Sequence, residues 1–247
     1  MLNHTKVLIT RINLPHKRQL KNKKFEALTK MYIVIIGAGG IGKTLTELAL
    51  KDGNHNVIVI DKEQVRCEEI ARKYDAVAIN ADATQEETLD ESEVKKADVL
   101  VTTTNDDATN LMVCSLAKNK GVKHLVSVVN QDESKPMYME KDVKMVKSPN
   151  FVMAEHLYKS IKHPNVEEYM NVGEYAEIFR LPIAENSNLS GKTIRKIGLP
   201  KKSLIVAIER DHKFIIPTED VELFSGDKVT ILAHKDQVER VAALFSE

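Results

Sequence analysis

Tryptophan is absent from this sequence, and cysteine occurs only twice, at Cys67 and Cys114. Two thiols exclude a disulfide-stapled scaffold, and neither sits in a CxxC pair, so a thiolate metal site has no basis. Long apolar runs are missing too. The best stretch, Met31 to Gly42, is about a dozen residues broken by glycine, short of the ~20 residues that cross a bilayer. The eight histidines are scattered. His156 and His163 can share a helix face, but two ligands do not make a metal centre. Net charge is also lacking, with 36 Lys/Arg against 36 Asp/Glu. That balance hides an asymmetry: residues 1–30 carry eight basic residues against Glu26 alone, about +7, leaving about −7 for the rest. A basic arm suits nucleic acid or anionic lipid, but Met31 stands where the first strand begins, so the arm equally precedes the natural domain start. Its apolar segment Val7–Ile12 is too short for a secretory signal.

What the chain does have is a 43% hydrophobic content, ample for a core, arranged in alternating short apolar runs and helical stretches. Met31–Ile36, Asn56–Ile60, Ala76–Ile79, Asp98–Thr102 and His124–Val129 read as strands buried on both faces. Between them lie helices expected at Gly40–Asp52, Lys62–Tyr74 (with Val65, Ile70 and Ala71 inward), Gln85–Ser92, Asp107–Lys120 and Pro136–Lys141. Strand–helix alternation of this kind predicts an α/β fold, a doubly wound parallel sheet in a Rossmann-type domain over residues 31–150. An amphipathic helix, Phe151–Lys162, is expected to link or dimerise domains within 151–167. Beyond residue 168 the pattern becomes short strands at Tyr175–Leu181, Leu204–Glu209, Lys213–Ile216 and Lys228–Ala233. Hairpin turns are expected at Asp211-His212 and at Ser225–Asp227, and a helix at Lys235–Phe245. This predicts a smaller α+β domain over 168–247.

The chemistry concentrates at Gly37-Ala38-Gly39-Gly40-Ile41-Gly42, a G-x-G-x-x-G run that follows a strand and opens a helix. Gly37 permits the sharp turn, Gly39 lets a pyrophosphate approach the backbone, and Gly42 lets the helix pack on the sheet. The helix N-terminus offers free N–H groups and about half a positive charge to phosphate. Asp61 ends the second strand, where its carboxylate can accept both hydroxyls of an adenosine ribose. Its charge would repel a 2′-phosphate, and Lys62 is the one basic neighbour the sequence offers, so NAD(H) or an adenosine phosphate is favoured over NADP. Two later strand ends point to the same crevice. Asp82, after strand three, borders the adenine or caps the next helix. Thr104 and Asn105, after strand four, reach the far end of the ligand, while Asp107 there caps the next helix or else contacts the ligand, the cap being the favoured reading. No catalytic residue is assigned.

The runs GAGGIG (37–42), VIVID (57–61), NADAT (80–84) and ADVLVTTTNDDATNLMVCSLAK (97–118) resemble the TrkA family, the cytosolic subunits of Trk-type potassium uptake, built on the regulator-of-potassium-conductance (RCK, or KTN) fold. Residues 189–233 are similar to that family's C-terminal ligand-sensing domain. The resemblance implies a regulatory subunit that binds NAD(H), or ATP/ADP, and gates a Trk-type potassium-translocating membrane protein. It implies cytoplasmic placement at the membrane through that partner, homodimers assembled into tetramers or larger rings, and no nucleic-acid partner. Nucleotide contacts carry over to Gly37, Ala38, Gly39, Gly40, Ile41, Asp61, Ala81-Asp82 and Thr104-Asn105. Two positions depart from the family: Ala81 stands where glycine is usual, and Val128 where many members have an arginine. An NAD-dependent oxidoreductase is the rival reading, but no His–Asp or Tyr–Lys pair stands at a spacing suited to hydride transfer. A DNA-binding redox sensor would need a winged-helix module that thirty residues cannot fold.

Overall fold

The computed structural model describes residues 30–53, 55–146 and 148–246, so the basic arm, save Lys30, lies outside the described residues. The chain separates into two compact units, divided between Asn150 and Phe151.

In the first unit, β1 (Tyr32–Ile36), β2 (Asn56–Asp61), β3 (Val77–Asn80), β4 (Val99–Thr102), β5 (His124–Val128) and β6 (Lys144–Val146) form one sheet in the order β3-β2-β1-β4-β5-β6. Every pairing is parallel. The crossovers are α1 (Gly40–Asp52), α2 (Gln64–Lys73), α3 (Glu86–Glu91), α4 (Asp107–Asn119) and α5 (Lys135–Glu140). Alternate strand residues serve opposite layers, as the period of two requires. Ile33, Ile35, Val57 and Val59 pack with Ile70 of α2 and with Leu45 and Ala49 of α1. Val34, Ile36, Ile60 and Leu100 pack with Leu89 of α3, Val113 and Cys114 of α4, and Tyr138 of α5. Burial on both faces explains why these strands read as continuous Val/Ile runs rather than as alternating ones. Strand order reverses between β1 and β4, which puts the ligand crevice of such sheets beyond their carboxyl ends.

The helix after β2 differs from expectation on one point. It starts at Gln64, which leaves Val65 in the first turn 77% exposed, while Cys67 and Ile70, three apart, face the core. Both cysteines are buried on helices and unpaired.

Helix α6 (Pro149–Lys162) follows, with no buried residue. The second unit holds an antiparallel sheet of β7 (Glu168–Val172), β8 (Ala176–Pro182), β9 (Ser203–Arg210), β10 (Lys213–Ile215) and β11 (Lys228–His234), ordered β10-β9-β11-β8-β7. Strands β8 and β11 alternate strictly between buried and half-buried residues. Phe179, Leu181, Val229 and Ile231 thus meet Val238, Val241 and Phe245 of α7 (Val238–Ser246) on one face. Asp211 and His212 both adopt left-handed backbone, φ 49° and 59°, the primed turn that fits the twist of a two-residue hairpin between β9 and β10. The expected second hairpin does not form. Ser225–Asp227 does turn, but β11 inserts between β8 and β9 and leaves β10 on the edge.

Candidate functional site

The turn between β1 and α1 is fixed from both sides. Gly37 carries φ +98°, open to glycine at little cost. Its N–H donates to the Ile60 carbonyl at 2.8 Å. Just past β4, Thr103 donates its hydroxyl to the Ile36 and Gly37 carbonyls, both at 3.0 Å, and its N–H to the Ile36 carbonyl at 2.8 Å. From β2, Asp61 Oδ2 accepts the Ala38 N–H at 2.7 Å while Oδ1 accepts that of Glu63 at 2.8 Å. Asp61 is buried, so the carboxylate at the strand tip is part of the turn's own framework. Each oxygen keeps a second lone pair for a hydroxyl donor. The carbonyl of the same residue gathers the Ala81 N–H at 3.1 Å, the Asn80 side-chain amide at 3.1 Å and the Cys67 thiol at 3.4 Å. Asp61 thereby ties the β1, β2 and β3 ends into one rim. Burial pushes the Cys67 thiol up from its ordinary range, which makes it a poor nucleophile.

The glycines sort by cause. A Cβ on Gly42 would sit 1.8 Å from the Gly37 carbonyl oxygen, so α1 can lie against the strand end only with glycine there. Gly39 and Gly40 answer to no such demand. Gly39 has an ordinary extended backbone, φ −67° and ψ −171°. Among the described residues, a Cβ there would find only the Arg66 Nη1, at 3.7 Å, and one on Gly40 would find nothing within 4 Å. The space beside these two backbones is therefore left by the protein itself. It adjoins an α1 first turn with neither a side-chain cap nor an acidic residue. Gly40 and Ile41 are exposed there, and their N–H groups precede the first intrahelical bond, from Lys43 N to Gly39 O. Free backbone N–H groups at a helix start are of the kind that suits an anion, and the adjoining carboxylate is of the kind that suits paired hydroxyls. A dinucleotide or adenosine diphosphate has that combination of groups.

The remaining expected contacts fall beside this turn with their own partners. Asp82 does not cap α3. Its Oδ1 accepts the Thr84 N–H and hydroxyl at 2.9 and 2.7 Å, and these bonds hold its carboxyl below the usual range. Gln85 occupies the α3 cap position. Thr104 gives its hydroxyl to Asn110 Oδ1 at 2.7 Å, and Asn110 returns its amide to the Thr104 carbonyl at 3.0 Å. Asn105 is exposed. Asp106, not Asp107, caps α4 through Thr109, and the Thr109 hydroxyl and N–H hold its carboxyl low. Asp107 instead accepts the N–H groups of Asn130 and Gln131, both at 2.9 Å, pinning the loop after β5. Val128 is buried at the end of β5.

Three residues of this region escape sequence reasoning. Asn110, fully buried, is a polar residue on an otherwise apolar helix face, a signal that was available. Thr103 gives no sign of its role before the turn is folded. Arg66 lies in the first turn of α2, and its Nη1 stands 3.8 Å from Asp61 Oδ2 and 3.7 Å from the Gly39 Cβ position. Lys62 is thus not the only cation beside Asp61. Among the described residues no cluster of three or more His, Cys, Asp or Glu could hold a metal ion.

Comparison with known proteins bears on the family of the chain. Residues 33–149 match the TrkA-N domain model and residues 178–246 the TrkA-C domain model. A "Trk system potassium uptake protein TrkA homolog" from Methanothermobacter thermautotrophicus is 32% identical over 217 residues, 87% of this chain and 100% of that protein. One of the same description from Pyrococcus abyssi is 30% identical over 224 residues, 88% of this chain and 98% of its own. The solved structure described as "GsuK channel bound to NAD" aligns with a TM-score of 0.59 at 17% identity, over 93% of this chain and 42% of that one, a likeness of fold. Resembling a named homologue along the whole of its length, this chain belongs to the TrkA family.

Proposed function

We propose that this chain is a nucleotide-binding regulatory subunit that gates a Trk-type potassium transporter or channel and performs no catalysis of its own. NAD or NADH is the ligand this reading puts first, with ATP or ADP as the other candidates. They would sit on Gly37, Ala38, Gly39, Gly40, Ile41 and Gly42, with Asp61 at the ribose, Ala81 and Asp82 toward the adenine, and Thr104 and Asn105 at the far end. Residues 31–150 are the nucleotide domain, 151–167 the linking and dimerising helix, 168–247 the sensing domain, and 1–30 a basic extension. The relatives' potassium-uptake names and the NAD in the GsuK channel support this reading. Among the described residues no helix is long and apolar enough to cross a membrane. A membrane protein supplies the pore, and this chain acts at its cytoplasmic face as a homodimer built into a tetramer or larger ring. Gating needs a ligand with different affinity for two arrangements of adjacent nucleotide domains, a coupling of typically about 1–3 kcal/mol.

The observation that carries the proposal is the pair of glycines without a structural need for glycine. It also gives the test: titration calorimetry of the chain with NAD, NADH, ATP and ADP, repeated on Gly39→Ala and Gly40→Ala. Gly40→Ala should melt where the parent does or slightly higher, since alanine at an unstrained glycine site adds up to about 1 kcal/mol, and Gly39→Ala, at the N-cap of α1, should melt lower by no more than about 1 kcal/mol. Each should bind nucleotide about tenfold or more weakly, a loss of ~1.4 kcal/mol. Undiminished binding in both would remove the cradle from the proposal, and a parent chain indifferent to all four ligands would end it.

A further inference from the structure

We propose that Arg66 is the cation of the cradle: it holds the 5′-phosphates of the bound nucleotide over the Gly39–Gly40 backbone, giving up Glu63 and Asp61 to do so. This rests on the nucleotide reading above and adds a specificity to it, that affinity follows phosphate charge as well as the adenosine.

Placement is the first ground. Among the described residues, the Arg66 guanidinium is the one side-chain group that a Cβ on Gly39 would approach, at 3.7 Å. Gly39 is the residue whose bare backbone admits a pyrophosphate in such turns. A planar guanidinium there faces the same volume as the uncapped α1 amides, and its fork matches two phosphate oxygens in a way an ammonium does not.

The present partners of Arg66 are the second ground. Nη2 pairs with Glu63 Oε1 at 2.9 Å, and Nη1 lies 3.8 Å from Asp61 Oδ2, beyond hydrogen-bonding distance. The arginine side chain is 45% exposed and that of Glu63 52%. Ion pairs this exposed are screened and hold their members loosely. Exchange of a solvated carboxylate for a phosphate over a helix N-terminus therefore costs little and gains a more highly charged partner. It also removes a cation from Asp61 Oδ2, the oxygen that must accept a ribose hydroxyl while it keeps the Ala38 N–H. One side-chain movement would then serve both ends of the ligand.

Calorimetry of the full chain with adenosine, AMP, ADP, NAD and NADP tests this, on the parent and on Arg66→Gln and Arg66→Lys, at low and moderate salt. Arg66→Gln is expected to weaken ADP and NAD about tenfold, the loss of a charge-assisted bond, and adenosine by less than ~twofold. Arg66→Lys should recover part of the loss, and the salt dependence of ADP binding should flatten in Arg66→Gln. If Arg66→Gln weakens adenosine as much as ADP, the residue merely shapes the site and the proposal falls. It falls too if the parent prefers NADP to NAD and Arg66→Gln abolishes that preference, since the arginine then serves a 2′-phosphate. Unchanged ADP and NAD binding in Arg66→Gln overturns the role of Arg66 alone. A parent chain that binds none of the five overturns the nucleotide reading, and this proposal with it.

Discussion

At the scale of single residues, G-x-G-x-x-G contains glycines of unlike meaning. Gly37 is a conformational requirement, Gly42 a packing requirement, and Gly39 with Gly40 a vacated surface. The motif predicts all of them and ranks none, because ranking needs the distance from each absent Cβ to its neighbours. Gly42→Ala is accordingly expected to do the reverse of Gly40→Ala. Forcing a methyl to within 1.8 Å of the Gly37 oxygen must move α1 or the turn, at roughly 3 kcal/mol or more. Urea denaturation of the two variants side by side measures this; equal midpoints would show that the turn yields more easily than its framework of hydrogen bonds implies. Asp61 was readable as a strand-tip carboxylate, but its grip on Ala38 was not, since nothing in the letters brings residue 61 to residue 38. Arg66 was hidden for a similar reason. Four positions beyond Lys62, it returns toward Gly39 because α2 starts at Gln64.

At the scale of elements, the strands buried on both sides were recoverable almost to the residue, because double burial imposes Val and Ile continuously. The strands that were missed lie at sheet edges. Lys144–Val146 has three residues and Glu168–Val172 exposes Glu168, Met170 and Val172, so neither carries the apolar run that marks a core strand. The order of the second sheet was unreadable for another reason. Which strand fills the gap between β8 and β9 depends on tertiary pairing and not on the turn before it. Helices α4 and α5 support a prediction of their own. Both pack against the central sheet through titratable groups, and burial pushes the Cys114 thiol up to about 11 and the Tyr138 phenol up to about 12. The folded state therefore retains these protons after the unfolded chain has lost them. Their stabilisation is complete below the ordinary values of 9.0 and 10.0 and declines as pH rises beyond them. Urea midpoints should fall between pH 8 and about 10.5. Cys114→Ala, though less stable at both values, should show a smaller drop; an identical drop would dissociate the thiol from the alkaline loss.

At the scale of the whole molecule, the proposed ring needs a surface for a second copy, and α6 is the candidate. Met153, Leu157 and Ile161 repeat every four residues along it and are 59%, 57% and 78% exposed, an apolar stripe of the kind that marks association. Leu157→Glu with Ile161→Glu is expected to lower the molar mass in light scattering toward that of one chain. It should leave the β-sheet circular dichroism signal in place. An unchanged mass would move the interface elsewhere.

The same helix has a thermodynamic consequence. Fourteen residues with none buried, tied to β7 and β8 by polar bonds from Lys159 and Glu155 to Asn171 and Glu177, are weakly supported, since isolated helices of about this length barely hold together in water. If neighbouring copies complete it, its helicity becomes a function of protein concentration, and folding and assembly merge into one equilibrium. Dilution alone would then unwind this segment, with no denaturant added.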